Sequence, residues 1–372
     1  MKVAEPRADS TGSDRDDGPS NKGNRIVVLI SDNLNSLEFQ RDVNARPGQV
    51  GLLPKTLCTQ LYAFQKEGFE WLQALWVNGA PGGLLGDDMG LGKTVQTLAF
   101  LAWIRELQSA GQVNHKPILI VGPTGLLRNW VAEHETHLRD DRLGELFEAH
   151  GSGIRSLRRT GSRSSELESG VPVLDVDLLA KNECVLTTYE TLRDYQHSFA
   201  KVRWGVVVLD EVQKIKNPTS LVTEATKAMD ADFTIALIGT PVENHLSDLW
   251  CVTDAVQPGR LGALKDFVNY YLPDGAVDQD RMRELKSLLI EHQPAPMLRR
   301  MKQDHLPGLP EISLHITRSE MPGAQAKAYD DVVAAARGAG GSKGGDAESP
   351  SAPQSRVASP SGRFRRQPPS VY

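Results

Sequence analysis

The chain has 372 residues, of which 40% are hydrophobic and 24% charged, with a formal net charge of −5. That length suits one large or two ordinary domains, and the composition is that of a soluble globular protein. The mild negative charge excludes a globally basic nucleic-acid coat, so any such surface must be local. No apolar run approaches a membrane span, and the N-terminus lacks the core of a signal peptide.

Residues 1–24 are rich in Ser, Asp, Gly and Pro and nearly free of large aliphatics; such a segment buries too little to offset its ordering entropy and is expected to be disordered. Arg25 to Ile30 reads as a strand inside a short leader, 25–50. From Leu57 to Trp76 the apolar residues take helical spacing, through Leu61, Phe64, Phe69 and Leu72. Five short apolar runs come next, at 83–85, 118–121, 184–186, 206–209 and 234–238. They are continuous rather than alternating, which predicts strands buried on both faces. Helix-like stretches between them (94–107, 126–138, 220–228) give the rhythm of a doubly wound α/β domain. The polar stretch at 140–180 reads as a surface excursion. The chain becomes helical and irregular after Trp250, and 336–372 is a Gly-, Ser- and Pro-rich tail expected to be disordered. Cys58, Cys184 and Cys251 stand alone, with neither zinc spacing nor a disulfide framework, so a reducing, cytoplasmic setting is expected.

The segment after each strand carries the chemistry. The first run enters Gly86-Asp87-Asp88-Met89-Gly90-Leu91-Gly92-Lys93-Thr94. The glycines allow a tight turn and close approach to a ligand, and a helix opens at Lys93. Amide groups at a helix N-terminus face an anion, and the helix dipole favours it. Lys93 would reach terminal phosphates and the Thr94 hydroxyl would hold Mg²⁺. The general phosphate-loop pattern places Gly where this chain has Asp87, and a plain glycine-rich turn remains the alternative. The fourth run ends in Asp210-Glu211, where an Asp can hold the same Mg²⁺ and a Glu can activate the attacking water. Together the two motifs specify hydrolysis of a nucleoside triphosphate. The remaining runs end in Gly122-Pro123-Thr124-Gly125, Thr187-Thr188-Tyr189 and Gly239-Thr240-Pro241. In an open parallel sheet all five polar segments line one edge.

In this order the motifs resemble the first RecA-like lobe of the SWI/SNF-type ATPases, DNA translocases of helicase superfamily two. Residues 61–72 resemble the adenine-recognition segment, with Gln65 as the implied base reader. Residues 87–94 resemble the family phosphate loop, which itself carries an acid at the position of Asp87, so that Asp88, Met89, Gly90, Gly92, Lys93 and Thr94 are the implied ATP-binding set. Residues 118–130 and 187–192 resemble the two DNA-contacting motifs, which implies Pro123, Thr124, Arg128, Thr187, Thr188 and Tyr189 as contacts to duplex DNA. The stretch 210–218 resembles the Mg²⁺ and hydrolysis motif, with Gln213 where many members carry His. Gly239, Thr240 and Pro241 resemble the coupling motif, and 297–302 the segment leading out of the lobe.

The resemblance covers about residues 50–330 and implies a lobe at 51–260 with a helical extension at 261–335. It implies ATP and Mg²⁺ as cofactors, DNA as partner and no membrane, in the cytoplasm or, in a bacterium, at the nucleoid. Nothing after Leu314 resembles the second lobe and its arginine, so a second-lobe polypeptide is an expected partner. The other function left open is a non-catalytic ATP- or DNA-binding module that regulates or completes a partner.

Overall fold

The five apolar runs become the five inner strands of one parallel sheet. The strands of this computed structural model are β1 (Gly82–Leu85), β2 (Ile118–Val121), β3 (Leu146–Glu148), β4 (Cys184–Thr187), β5 (Arg203–Leu209), β6 (Asp230–Leu237) and β7 (Met297–Leu298). They lie in the order β3-β4-β2-β5-β6-β1-β7, and every neighbouring pair is parallel. The described residues are 32–40, 43–139, 143–160, 165–239, 246–273, 278–291, 294–306, 319 and 321–339. The expected strand at 25–30, the segment 1–24, Thr240, Pro241 and the tail from 340 onward lie outside them.

Side chains alternate across the pleat, so each inner strand feeds two cores. Ile118, Ile120, Val206 and Val208 face one side, with Phe69, Leu72, Phe100 and Trp103 packed on them. Leu119, Val121, Val207 and Leu209 face the other, against Tyr189, Phe199, Trp204 and Trp250. The first layer comes from α1 (Ala63–Val77), α2 (Lys93–Ser109) and α3 (Thr124–His137). α2 is buried nearly all round, and its middle turns, Leu98 to Ile104, are wholly apolar, as in a helix enclosed by sheet and neighbours. The second layer includes α4 (Tyr189–Asp194), α5 (Leu221–Lys227), α6 (Leu246–Val256), α7 (Leu264–Tyr271) and α8 (Gln279–Lys286).

Two polar locks fasten the edges. Lys227 Nζ lies 2.6 Å from Asp254 Oδ2 and 4.8 Å from the Trp250 ring centroid, and Asn33 donates to Asp254 Oδ1 at 2.9 Å. Arg46 donates to the carbonyls of Ala80 and Asp232, both at 2.8 Å. The leader is therefore strapped to the sheet.

Contacts group residues 1–309 into one unit and 310–372 into another, so the expected boundaries at 50 and 260 both fall inside the first. The reason at the second boundary is β7, which pairs Met297 with Leu84 and Leu298 with Leu85. In the second unit a helix, α9 (Gly323–Ala339), overlaps the end of the extension expected at 261–335.

Candidate nucleotide site

The turn between β1 and α2 needs two left-handed residues, and Gly90 (φ 87°) and Gly92 (φ 76°) supply them. A Cβ on Gly92 would meet Gln65 Nε2 at 2.4 Å, so that glycine also makes room for the expected base reader. Gln65 is buried; its Nε2 donates to the Leu91 carbonyl at 3.3 Å and its Oε1 accepts from the Tyr62 amide at 3.1 Å. Residues 61–65 are thereby fastened to the loop. Met89 is exposed at the loop's tip, and a Cβ on Gly239 would come within 3.2 Å of its Cγ, so the end of the β6 segment abuts the loop.

Lys93 Nζ donates to the carbonyls of Asp87 at 2.8 Å and Asp88 at 3.4 Å. Burial lowers the Lys93 pKa, while Glu211, Asp87, Asp210 and Asp88 all pull it back up. A cation held among four carboxylates and a glycine cradle fits a polyphosphate, which brings the negative charge and oxygen acceptors that the loop amides can serve. The acid pair stands at the end of β5. Asp210 Oδ2 accepts the Trp130 indole N–H at 2.9 Å, and Oδ1 accepts the Glu211 amide at 2.9 Å. Burial raises the Asp210 carboxyl, against the bond from Trp130 and the charge of Lys93; Glu211 adds to the rise. Glu211 is the one non-glycine residue with positive φ (49°) among the described residues, and Gln213 Nε2 donates to its carboxylate.

Among the described residues no group of three His, Cys, Asp or Glu side chains could hold a metal by itself. Thr94 and Asp210 would hold Mg²⁺ only together with phosphate oxygens and waters, as a cation that arrives on phosphates is held.

Asp87, the departure from the general loop pattern, has a physical reason. It is fully buried at 0% exposure, and Arg300, at 7%, grips both its oxygens, with Nε 3.0 Å from Oδ1. Arg300 also donates to Gln96 Oε1 at 2.8 Å and to the Phe64 carbonyl. Next to it, Arg299 donates to the carbonyls of Gly86 at 2.8 Å and Gly239 at 3.1 Å, and lies 3.4 Å from Asp88 Oδ1. Residues 297–302 thus brace the loop from behind. Their roles, and that of Trp130, were not legible from the sequence pattern, because each partner lies 60 or more positions away.

The residues expected at a DNA surface divide. Thr124 and Arg128 are exposed, and Pro123 caps the start of α3. Thr187, Thr188 and Tyr189 are buried. The Thr187 hydroxyl donates to the Ala149 carbonyl at 2.8 Å, and the Thr188 hydroxyl accepts the Thr191 amide at 3.0 Å to start α4. The Tyr189 hydroxyl donates to the Asp210 carbonyl at 2.9 Å, and burial raises its pKa well above the ordinary value. These three side chains are committed inside the fold, and Tyr189 ties the β4 end to the acid pair.

The SNF2-related domain pattern matches residues 64–356. The Zorya protein ZorD of Escherichia coli O139:H28 is 36% identical over 320 residues, 81% of this chain and 29% of that protein. The DNA excision repair protein CSB of Oryza sativa subsp. japonica is 32% identical over 302 residues, 74% of this chain and 25% of that protein. The chain therefore spans between a quarter and a third of these relatives' length. Among solved structures, the Sulfolobus solfataricus SWI2/SNF2 ATPase core in complex with dsDNA superposes with a TM-score of 0.51 at 30% identity, covering 69% of this chain and 47% of that one. With its phosphate loop, acid pair and strand order set in the sequence of motifs that this family shares, the chain belongs to the SNF2-related family of helicase-like ATPase domains.

Proposed function

We propose that this chain binds and hydrolyses ATP as the nucleotide-side lobe of a motor that moves on duplex DNA and remodels protein–DNA complexes. The observation that carries the reading is the convergence of Lys93, Asp210 and Glu211 at the carboxyl ends of β1 and β5, near enough for Lys93 to feel the charge of both acids. In this reading the loop amides and Lys93 bind the β- and γ-phosphates, and Gln65 orients the base. Thr94 and Asp210 would hold Mg²⁺, which supplies charge neutralisation at the phosphates. Glu211, steadied by Gln213, takes the proton of the attacking water. Thr124, Arg128 and backbone amides of the exposed loop after β2 bind DNA phosphates without reading bases, which fits a motor that must step along any sequence. The dsDNA in the Sulfolobus complex supports duplex DNA as the partner.

Titration with a fluorescent ATP analogue tests the site. Lys93→Ala is expected to abolish binding, and Glu211→Gln to retain binding while losing phosphate release. Unchanged affinity in Lys93→Ala would overturn the assignment. A non-catalytic regulatory module is the outcome if the wild-type chain binds nucleotide but releases no phosphate even with DNA and a second-lobe polypeptide present.

A further inference from the structure

Three cations close the segment that carries β7, at Arg299, Arg300 and Lys302, and the first two are engaged inside the protein. Arg300 grips Asp87, while Arg299 reaches Asp88 and the carbonyls of Gly86 and Gly239. Lys302 differs. Its backbone amide donates to Asp88 Oδ2 at 3.0 Å, and the Asp88 amide donates to the Arg300 carbonyl at 3.1 Å. Main-chain bonds therefore fix the root of the Lys302 side chain beside the phosphate loop. Lys302 is half-buried, and a Cβ on Gly90 would lie 3.4 Å from its Nζ and 3.8 Å from its Cε. The ammonium thus rests against the first left-handed glycine of the loop. Among the described residues no carboxylate or carbonyl accepts a hydrogen bond from it.

The same turn of chain reaches the base side of the site. The short helical turn Lys302–His305 ends with the His305 ring centroid 5.5 Å from that of Phe64, the neighbour of Gln65. One end of the turn lies at the phosphate loop and the other at the segment read as base-recognising. Charge and donors then decide what the ammonium suits. A lysine ammonium carries three donors and no acceptor. Leaving donors half-buried without partners is unfavourable, and phosphate oxygens take lysine as a point charge, without a fixed fork geometry. Arg300 answers Asp87 and Arg299 stands by Asp88, so Lys302 is the cation of this segment with no acid of its own.

Resting on the nucleotide reading, we propose that Lys302 is a second phosphate-binding lysine, which reaches past Gly90 to the phosphate chain of the nucleotide that Lys93 and the loop amides hold. It comes from the segment after β7 rather than from the loop. The stretch that braces the loop through two arginines thereby also touches the loop's ligand through its lysine.

The test measures binding of a fluorescent ATP analogue to the full chain at low and at high salt. Lys302→Met keeps the apolar stem and the backbone amide on Asp88 and removes the charge. It is expected to weaken binding by about 10-fold or more at low salt, and by clearly less at high salt, where ions already screen the contact. Lys302→Arg, which restores the charge, should recover most of the loss. Lys201→Met, which removes an exposed charge elsewhere, should match wild type. Lys302→Gln replaces the methionine variant if that one does not fold. Wild-type affinity in the uncharged variant, a loss of the same size at both salt concentrations, or an arginine variant as weak as the uncharged one overturns the inference. A wild-type chain that binds no nucleotide overturns the reading beneath it, which is a distinguishable result.

Discussion

Asp87 and Arg300 show how one buried pair fixes the nucleotide loop. A carboxylate with no exposure has no water to fall back on, and Arg300 supplies most of its hydrogen bonds, with Gln96 Nε2 adding one at 3.3 Å. Removing one partner of such a pair typically costs about 3–5 kcal/mol, because the other charge is left buried and uncompensated. Arg300→Met is expected to destabilise by that amount in urea denaturation. The double change Asp87→Gly with Arg300→Met should recover much of it, since both charges then leave together and glycine is the general phosphate-loop residue at that position. A double variant no more stable than Arg300→Met would show that the pair is not the source of the cost. The sequence contained both residues, and the acid was legible as a family feature. That the acid needs an arginine 213 positions later was not, because side-chain pairing across a sheet edge leaves no local pattern.

The elements were legible in proportion to how completely they are enclosed. The five inner strands announce themselves as unbroken apolar runs, whereas β3 and β7, at the two edges, have three and two residues and no such run. β3 pairs on one side only and its residues are half-buried or exposed, so it reads as part of a polar excursion. β7 is set by backbone bonds, Leu84 to Pro296 and Gly86 to Leu298, at 2.9 and 2.7 Å. Burial within the elements also governs the thiols. Burial pushes Cys184 and Cys251 up to about 12, while Cys58 is exposed. The thiolate is the reactive form, so a raised pKa together with burial means little reaction near pH 8. Ellman's reagent should titrate one thiol in the native chain and three in denaturant; two or three native thiols would contradict the enclosed β4 and α6. At α3, Arg128→Ala should weaken duplex DNA binding alike for all sequences and lower the magnitude of the salt slope by about 1. A sequence-dependent loss would argue against a phosphate contact.

At the scale of the whole molecule, the nucleotide side of a motor and its stimulated rate are separate quantities. The fold brings Lys93, Thr94, Asp210 and Glu211 to one edge of one sheet. The arginine that closes the charge shell in related phosphoryl-transfer enzymes is worth about 10³–10⁵ in rate, and the sequence carries no second-lobe motif to supply it. A polypeptide of residues 1–372 is therefore expected to release phosphate slowly and to respond weakly to duplex DNA. A docking second-lobe polypeptide should raise the rate by orders of magnitude, and Glu211→Gln should erase that gain. Robust DNA-stimulated turnover by these residues alone, in a steady-state phosphate assay, would show that they contain a completing group.

Glu211 holds the left-handed backbone at φ 49°, ψ 53° that glycine takes freely. For a residue with a Cβ that conformation costs about 1–2 kcal/mol. Glu211→Gly is therefore expected to raise the melting temperature while removing the candidate base, and Glu211→Gln to leave it nearly unchanged; no rise in Glu211→Gly would mean that the turn is unstrained. Heat resistance and turnover pull this position in opposite directions. A library selected only for surviving heat would collect glycine at 211 and yield hardier chains that no longer fire, whereas selection for turnover would keep the acid and accept the softer fold.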